Sequence, residues 1–193
     1  MKNKRLLRLT LVAVFSALCY VSFALLKITI PTPLGFTSFH LGNTICVLAA
    51  LVLGGVPGGL VGAIGMGIGD ILDPVYIMIA PKTIILKMMM GLIVGTVSHK
   101  IFNINKLEGK KLVKAVVISN SLGMLGNIIG EPLFGYFYYR FVLNAEDKAL
   151  SALLNYNLVV TSVNAIITIL IATLLYLGIR KRFENIIRSL DEQ

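Results

Sequence analysis

The stretch LAALVLGGVPGGLVGAIGMGIGD, residues 48–70, decides the fold. It is uncharged until Asp70, and its glycines recur in pairs four residues apart: Gly55 and Gly59, Gly58 and Gly62, Gly65 and Gly69. Small residues at that spacing let helix backbones approach closely in lipid, where apolar burial alone gives helices little drive to associate. Two short membrane-embedded helices are predicted, about His40–Leu53 and about Leu60–Leu72, joined by a tight turn at Gly54–Gly59. The second is expected to be a core helix that its neighbours cross closely. Their shortness leaves two topologies open. Two full crossings are preferred over a re-entrant hairpin.

Composition agrees with a bilayer setting. Of 193 residues 56% are hydrophobic and only 14% charged, with mean hydropathy +0.86. So few charges cannot cover the surface of a soluble domain. Those present are clustered: Lys2, Lys4, Arg5 and Arg8, then Lys100, Lys106, Lys110, Lys111 and Lys114, then Arg180, Lys181, Arg182 and Arg188. The net charge of +9 does not point to nucleic acid, because the basic groups flank apolar runs and do not interleave with aromatic ones. Positive-inside bias places all three clusters on the cytoplasmic face. The N-terminal apolar run is longer than a signal-peptide core and others follow it, so it reads as a retained span. Cys19 and Cys46 read as small buried hydrophobes, with no disulfide framework implied.

Working outward, further spans are predicted at about Leu6–Leu26, Pro81–Ile101, Leu112–Val142 and Leu150–Ile179. Pro31, Pro33 and Gly35 make Lys27–Phe39 a loop, Asp73-Pro74 ends the third span, and Pro81 suits a first helical position. Asn103–Lys110 is a solvated loop, Asn144–Lys148 a turn, and a charged tail ends the chain. The expected fold is all-α: a compact bundle of six transmembrane helices, both termini cytoplasmic, with residues 1–193 forming a single transmembrane domain in the cell membrane.

Ionisable residues at membrane depth usually face an interior cavity. With the N-terminus inside, Asp70, Lys82, Lys87, Glu131 and Arg140 all fall in the middle or outer half of this bundle. Two neutral stripes point the same way. Asn120, Asn127 and Glu131 share one face of the fifth span, and Asn157, Thr161, Asn164 and Thr168 share one face of the sixth. A ligand cavity in the outer half is preferred to plain interhelical hydrogen bonding. Pro132 should kink or open the fifth span. His40 and Asn43 belong to the outer rim, whereas His99, beside Lys100, is a bystander. Tyr136, Tyr138 and Tyr139 offer ring faces or an interfacial belt. Asp70-x-x-Asp73 lacks the downstream residues of a metal-dependent transferase, and no hydrolase or nucleotide-binding motif appears, so no enzyme activity, catalytic residue or metal site is expected.

Three passages resemble the substrate-binding S-components of energy-coupling factor (ECF) vitamin transporters. They are Ala13-x-x-x-Ala17, the run from His40-Leu41-Gly42-Asn43 through Leu48–Gly54, and Gly69-Asp70-Ile71-Leu72 with Tyr76, Ala80-Pro81-Lys82-Thr83 and Lys87-x-x-x-Gly91-Leu92. The chain is most similar to the hydroxymethylpyrimidine/pyridoxine-type subgroup, with Asn43 where that subgroup often carries aspartate. The resemblance implies a small vitamin or precursor, of pyrimidine or pyridine type, captured near the outer face and delivered inward by toppling in the membrane. It implies a transmembrane coupling protein, docked at Ala13 and Ala17, and two cytoplasmic ATPases that hydrolyse ATP, with no cofactor in this chain. The candidate binding residues are His40, Asn43, Asp70, Lys82, Lys87, Asn127, Glu131, Tyr139, Arg140, Asn157 and Asn164. The alternative function is an independent homo-oligomeric carrier or channel.

Overall fold

A computed structural model describes residues 2–32 and 34–191, with side chains for 5–32 and 34–181. Pro33 and the side chains of Lys2, Lys4, Arg182 and Arg188 lie outside the described residues. In chain order the elements are α1 (Lys2–Ala24), β1 (Lys27–Thr32), β2 (Gly35–His40), α2 (Gly42–Leu53), α3 (Gly55–Ile71), α4 (Ala80–Gly95), α5 (Gly109–Phe137) and α6 (Asp147–Asp191). Wider π-helical turns prolong α4 through Thr96–Ile101 and α5 through Tyr138–Val142. Among the described residues four segments are long and apolar enough to cross a membrane: Arg5–Ala24, Ile77–Ile101, Gly109–Val142 and Asp147–Lys181. The protein is thus a multi-pass helical membrane protein.

Several expected boundaries move. Lys27–Phe39 is not an irregular loop. Its β-branched and aromatic residues form an antiparallel hairpin, from Lys27 opposite His40 to Thr32 opposite Gly35. Two strands tolerate proline because neither is central to a sheet, and Gly35 takes a φ of 131° at the turn. His40 consequently ends β2 and does not begin α2. The expected turn at Gly54–Gly59 contracts to Gly54 alone, with φ 93°. α3 starts at Gly55 because Pro57 falls in its first turn, where no intrahelical donor is needed. α5 passes through Pro132 without interruption, and its change of winding comes only at Tyr138. The charged C-terminal segment continues α6.

α2 has 12 residues, about 18 Å of helix, too little to cross a hydrocarbon core of about 30 Å. It need not face lipid along its length. α1, α3, α4 and α6 enclose it, and Cys46 to Leu53 are all buried. Around it α3 acts as the hub, each glycine pair serving one neighbour. A methyl group on Gly58 or Gly62 would strike Ala50 or Cys46 of α2, and one on Gly65 or Gly69 would strike Cys19 or Phe23 of α1. On the α4 side the seam is backbone against backbone: a methyl on Gly91 would overlap Gly59, and one on Gly95 would overlap Gly55.

That seam predicts a sharp contrast. Gly91→Ala or Gly95→Ala must push α3 from α4, and overpacking of this kind costs about 1–3 kcal/mol or more. Gly178→Ala meets nothing within 4 Å and should leave stability unchanged or slightly raised, since alanine favours helix. Melting temperatures of the purified variants in one detergent decide the matter; equal melting of Gly91→Ala and Gly178→Ala would refute the seam.

Candidate functional site

A polar chamber opens at the hairpin end of the bundle, opposite the ends that carry the basic clusters. Its volume is about 80 Å³. α3 supplies Asp70 from its last turn, and α4 supplies Lys82, Thr83 and Lys87 from its first two. α5 adds Asn127 and Glu131, one turn apart, and Tyr139 from the π turn. α6 adds Asn157, Thr161 and Asn164, while α2 contributes Asn43 and the hairpin His40. Ten of the eleven candidate binding residues therefore line one space. The exception is Arg140, which pairs with Asp147 at 3.1 Å and donates to the Ala145 carbonyl. It ties the α5–α6 turn and does not reach the chamber. Only Tyr139 of the three clustered tyrosines lines it; Tyr138 donates to the Met78 carbonyl instead.

The charges inside are mutually answered. Lys82 forms an ion pair with Glu131 across the α4–α5 seam, and its ammonium lies 5.4 Å from the centre of the Tyr139 ring. Lys87 donates to the Asn127 side-chain oxygen at 2.8 Å. Asp70, 2% exposed, lies beside the Thr83 hydroxyl. Burying one ion without such partners costs several kcal/mol, so these contacts are what allow two lysines and two carboxylates to sit here together.

Asn164 is a fastener for the hairpin. Its amide nitrogen donates to the Ser38 carbonyl at 3.1 Å, and its oxygen accepts from the His40 backbone at 3.3 Å. The deeper polar residues also link helices: Thr44 meets Thr168 at 3.5 Å, and Asn120 donates to Thr173 at 3.0 Å. Thus the polar stripes of α5 and α6 divide by depth, cavity lining toward the hairpin and interhelical bonds below. His99 approaches the Leu51 carbonyl at 3.0 Å, a structural contact far from the chamber. Among the described residues, Nδ1 of His40 and the side-chain oxygen of Asn43 are buried chamber atoms without a hydrogen-bond partner, whereas the buried Tyr76 hydroxyl faces Ser38 and Thr29.

The sequence reading missed Phe23, Phe36, Thr37, Ser38, Tyr76, Ile79, Thr83 and Val160 in the lining. Alternation of Ile28, Ile30, Phe36 and Ser38 was the available signal for a hairpin that folds over the site. The hairpin is held from outside as well. Lys27 pairs with Asp73 at 2.6 Å and lies 4.9 Å from the Tyr76 ring centre. Asp73 also accepts from the Val75 amide at 3.0 Å. The hydrogen bond from Lys27 holds the Asp73 carboxyl below its ordinary value.

The family model described as "ECF-type riboflavin transporter, S component" matches residues 3–181. A solved structure described as the S component of a bacterial ECF transporter shares the fold with a TM-score of 0.56. It is 20% identical in sequence, and the match covers 93% of this chain and 99% of that one. No curated protein matches the chain significantly.

The hairpin clamp has a pH signature. A carboxyl whose folded value is lowered contributes stability that is complete above its ordinary value and lost as pH falls through the lowered one. Wild type should therefore melt above Asp73→Asn at neutral pH, by the few tenths to about 1 kcal/mol of a partly exposed pair. The gap should close on acidification below the ordinary carboxylate range. A gap that persists unchanged in acid would show that the pair does not hold the hairpin.

Proposed function

Because the chain belongs to the family of ECF-type riboflavin transporter S components, we propose that its chamber captures a small vitamin or vitamin precursor of pyrimidine or pyridine type. The chain is a substrate-binding transporter subunit and not an enzyme. The observation that carries the ligand reading is the pair of buried, partnerless atoms, His40 Nδ1 and Asn43 Oδ1, in the chamber wall. Each would cost about 1–3 kcal/mol if left unsatisfied, and a ring bearing hydroxyl, amino or ring-nitrogen groups would recover that cost. Phe36, Tyr76 and Tyr139 offer ring faces around the same space. The chamber, about 80 Å³, is well below the roughly 300–1,000 Å³ of sites that enclose drug-sized ligands. A cavity that holds one benzene ring measures about 150 Å³, so the cover must yield for any ligand, and least for a single ring. Riboflavin is the second reading, supported by the description of the matching family; it would require the hairpin to move outward.

In this reading both termini lie in the cytoplasm, since Arg5, Arg8, Lys100, Lys106, Lys110, Lys111, Lys114 and Lys181 gather at the end opposite the chamber. The chamber then faces outward, with the shorter α2 and α3 completing a six-helix bundle. A transmembrane coupling protein docks on α1, and two cytoplasmic ATPases supply hydrolysis, so this chain holds no nucleotide. Toppling within that complex delivers the substrate. Ala13 and Ala17 support the docking role: they are exposed one turn apart on a face shared with Val14, Leu18 and Val21, away from the core.

Two measurements check these roles. Loss of one contact to a charged group costs about 1.5–3 kcal/mol, roughly a ten- to hundredfold rise in Kd. Lys87→Met and Asp70→Asn should show that rise in calorimetric titration with the compound retained through mild purification. Asn43→Ala should show a several-fold one. Unaltered affinity in all three would remove the ligand from the chamber. Separately, Ala13→Trp with Ala17→Trp should preserve ligand affinity but abolish co-purification with the coupling protein and ATP-driven uptake in vesicles. Uptake without any ATPase would instead favour an independent carrier.

A further inference from the structure

At the opposite end of the bundle a second concavity, about 1010 Å³ in volume, lies between the start of α5 and the last described turns of α6. It is unrelated to the chamber. Val113, Val117 and Leu177 give it an apolar floor, and Lys110, Lys114, Arg180 and Lys181 a basic rim. The spacing makes both features continuous. On α5, Lys110 and Lys114 are one turn apart, as are Val113 and Val117; on α6, Leu177 and Lys181 repeat the pattern. Arg180 is committed to holding the preceding loop, donating to the carbonyls of Leu107, Ile104 and Asn105. None of those partners neutralises its charge. Among the described residues no carboxylate pairs with Lys110, Lys114 or Lys181. Glu108 is the one acid in the wall. It precedes α5 without a side-chain bond to the first turn, whose Gly109 and Lys110 line the groove, and a helix N-terminus favours an anion.

We propose that this groove binds an anionic phospholipid, with the phosphate at the start of α5 among Lys110, Lys114 and Lys181, and acyl chain along Val113, Val117 and Leu177. The chemistry excludes simpler occupants. A soluble anion would leave the apolar floor unused, and a zwitterionic lipid would leave four cations facing its own ammonium-bearing headgroup. Basic pockets between membrane helices, at the level of the headgroups, have the composition to recognise anionic lipids. Lys100, Lys106 and Lys111 lie at the same end of the bundle but outside the groove. Lys100 and Lys106 carry the general positive bias without the floor or the helix start, and Lys111, although in the first turn of α5, is not part of the groove wall, so the three provide a built-in control.

The test uses the full chain in detergent and native mass spectrometry, with phosphatidylglycerol and phosphatidylcholine of identical acyl chains as probes. Each lysine near a headgroup contributes roughly a fivefold preference for the anionic lipid. Lys110→Gln with Lys114→Gln and Lys181→Gln should therefore lower retention of phosphatidylglycerol by about a hundredfold, without changing the melting temperature in lipid-free detergent. The control triple, Lys100→Gln with Lys106→Gln and Lys111→Gln, removes the same charge and should retain the preference. Should the first triple fail to fold, Lys114→Gln alone should still show the roughly fivefold loss. Equal retention of both lipids by wild type, equal loss in both triples, or displacement of the lipid by glycerol phosphate would each overturn the proposal.

Discussion

Placing ionised groups where water cannot solvate them is the constraint on which the rest of this structure depends. Lys82, Lys87, Asp70 and Glu131 lie in the same chamber on three helices, α4 supplying both cations and α3 and α5 one carboxylate each. Lys82 reaches Glu131 and Lys87 reaches Asn127, so α4 and α5 are fastened twice across a single seam. Such a pair is weak as a source of stability, because desolvation consumes much of the attraction. Its effect is on specificity of arrangement: α5 cannot rotate or slide on α4 without stranding a buried charge.

Close backbone packing brings these groups within reach of each other. The α3–α4 seam has glycine backbone on glycine backbone, so Asp70 at the end of α3 and Lys82 at the start of α4 flank the same space. Larger side chains in that seam would move the helices apart and widen the chamber between α3 and α4. The hairpin closes the remaining side through Asn164 above α6 and the Lys27–Asp73 clamp beyond α3. A chamber assembled this way is rigid on its helical walls and weakest at its two-stranded cover, which is where a ligand would have to enter.

Much of this was legible in the sequence because membrane helices impose period and depth on polar residues. Asn127 and Glu131, one turn apart, and Asn157, Thr161 and Asn164, on one face, could be assigned to a common interior before any coordinates. Glycines four apart identified α3 as the hub. What escaped has equally physical causes. The hairpin was hidden because Pro31, Pro33 and Gly35 signal interruption, and local signals cannot say that two interrupted segments pair. Arg140 fell at the right depth but on a π turn, where the helical period no longer predicts direction. Asn164 lines the chamber as expected, but only the hairpin reveals that its amide also fastens β2 through Ser38 and His40. Asn43 departs from the aspartate common in the hydroxymethylpyrimidine/pyridoxine-type subgroup, and the matching family is described by riboflavin.

The proposed ligand is a single small ring seated among His40, Asn43 and the charged wall. Titration of the purified wild-type chain with pyridoxine, hydroxymethylpyrimidine and riboflavin, side by side in one calorimetric series, tests it most directly. The expected result is saturable binding of one of the single-ring compounds at one equivalent, tighter than riboflavin by at least about tenfold, or about 1.4 kcal/mol. Tighter binding of riboflavin, or failure of folded protein to bind either single-ring compound, would contradict it.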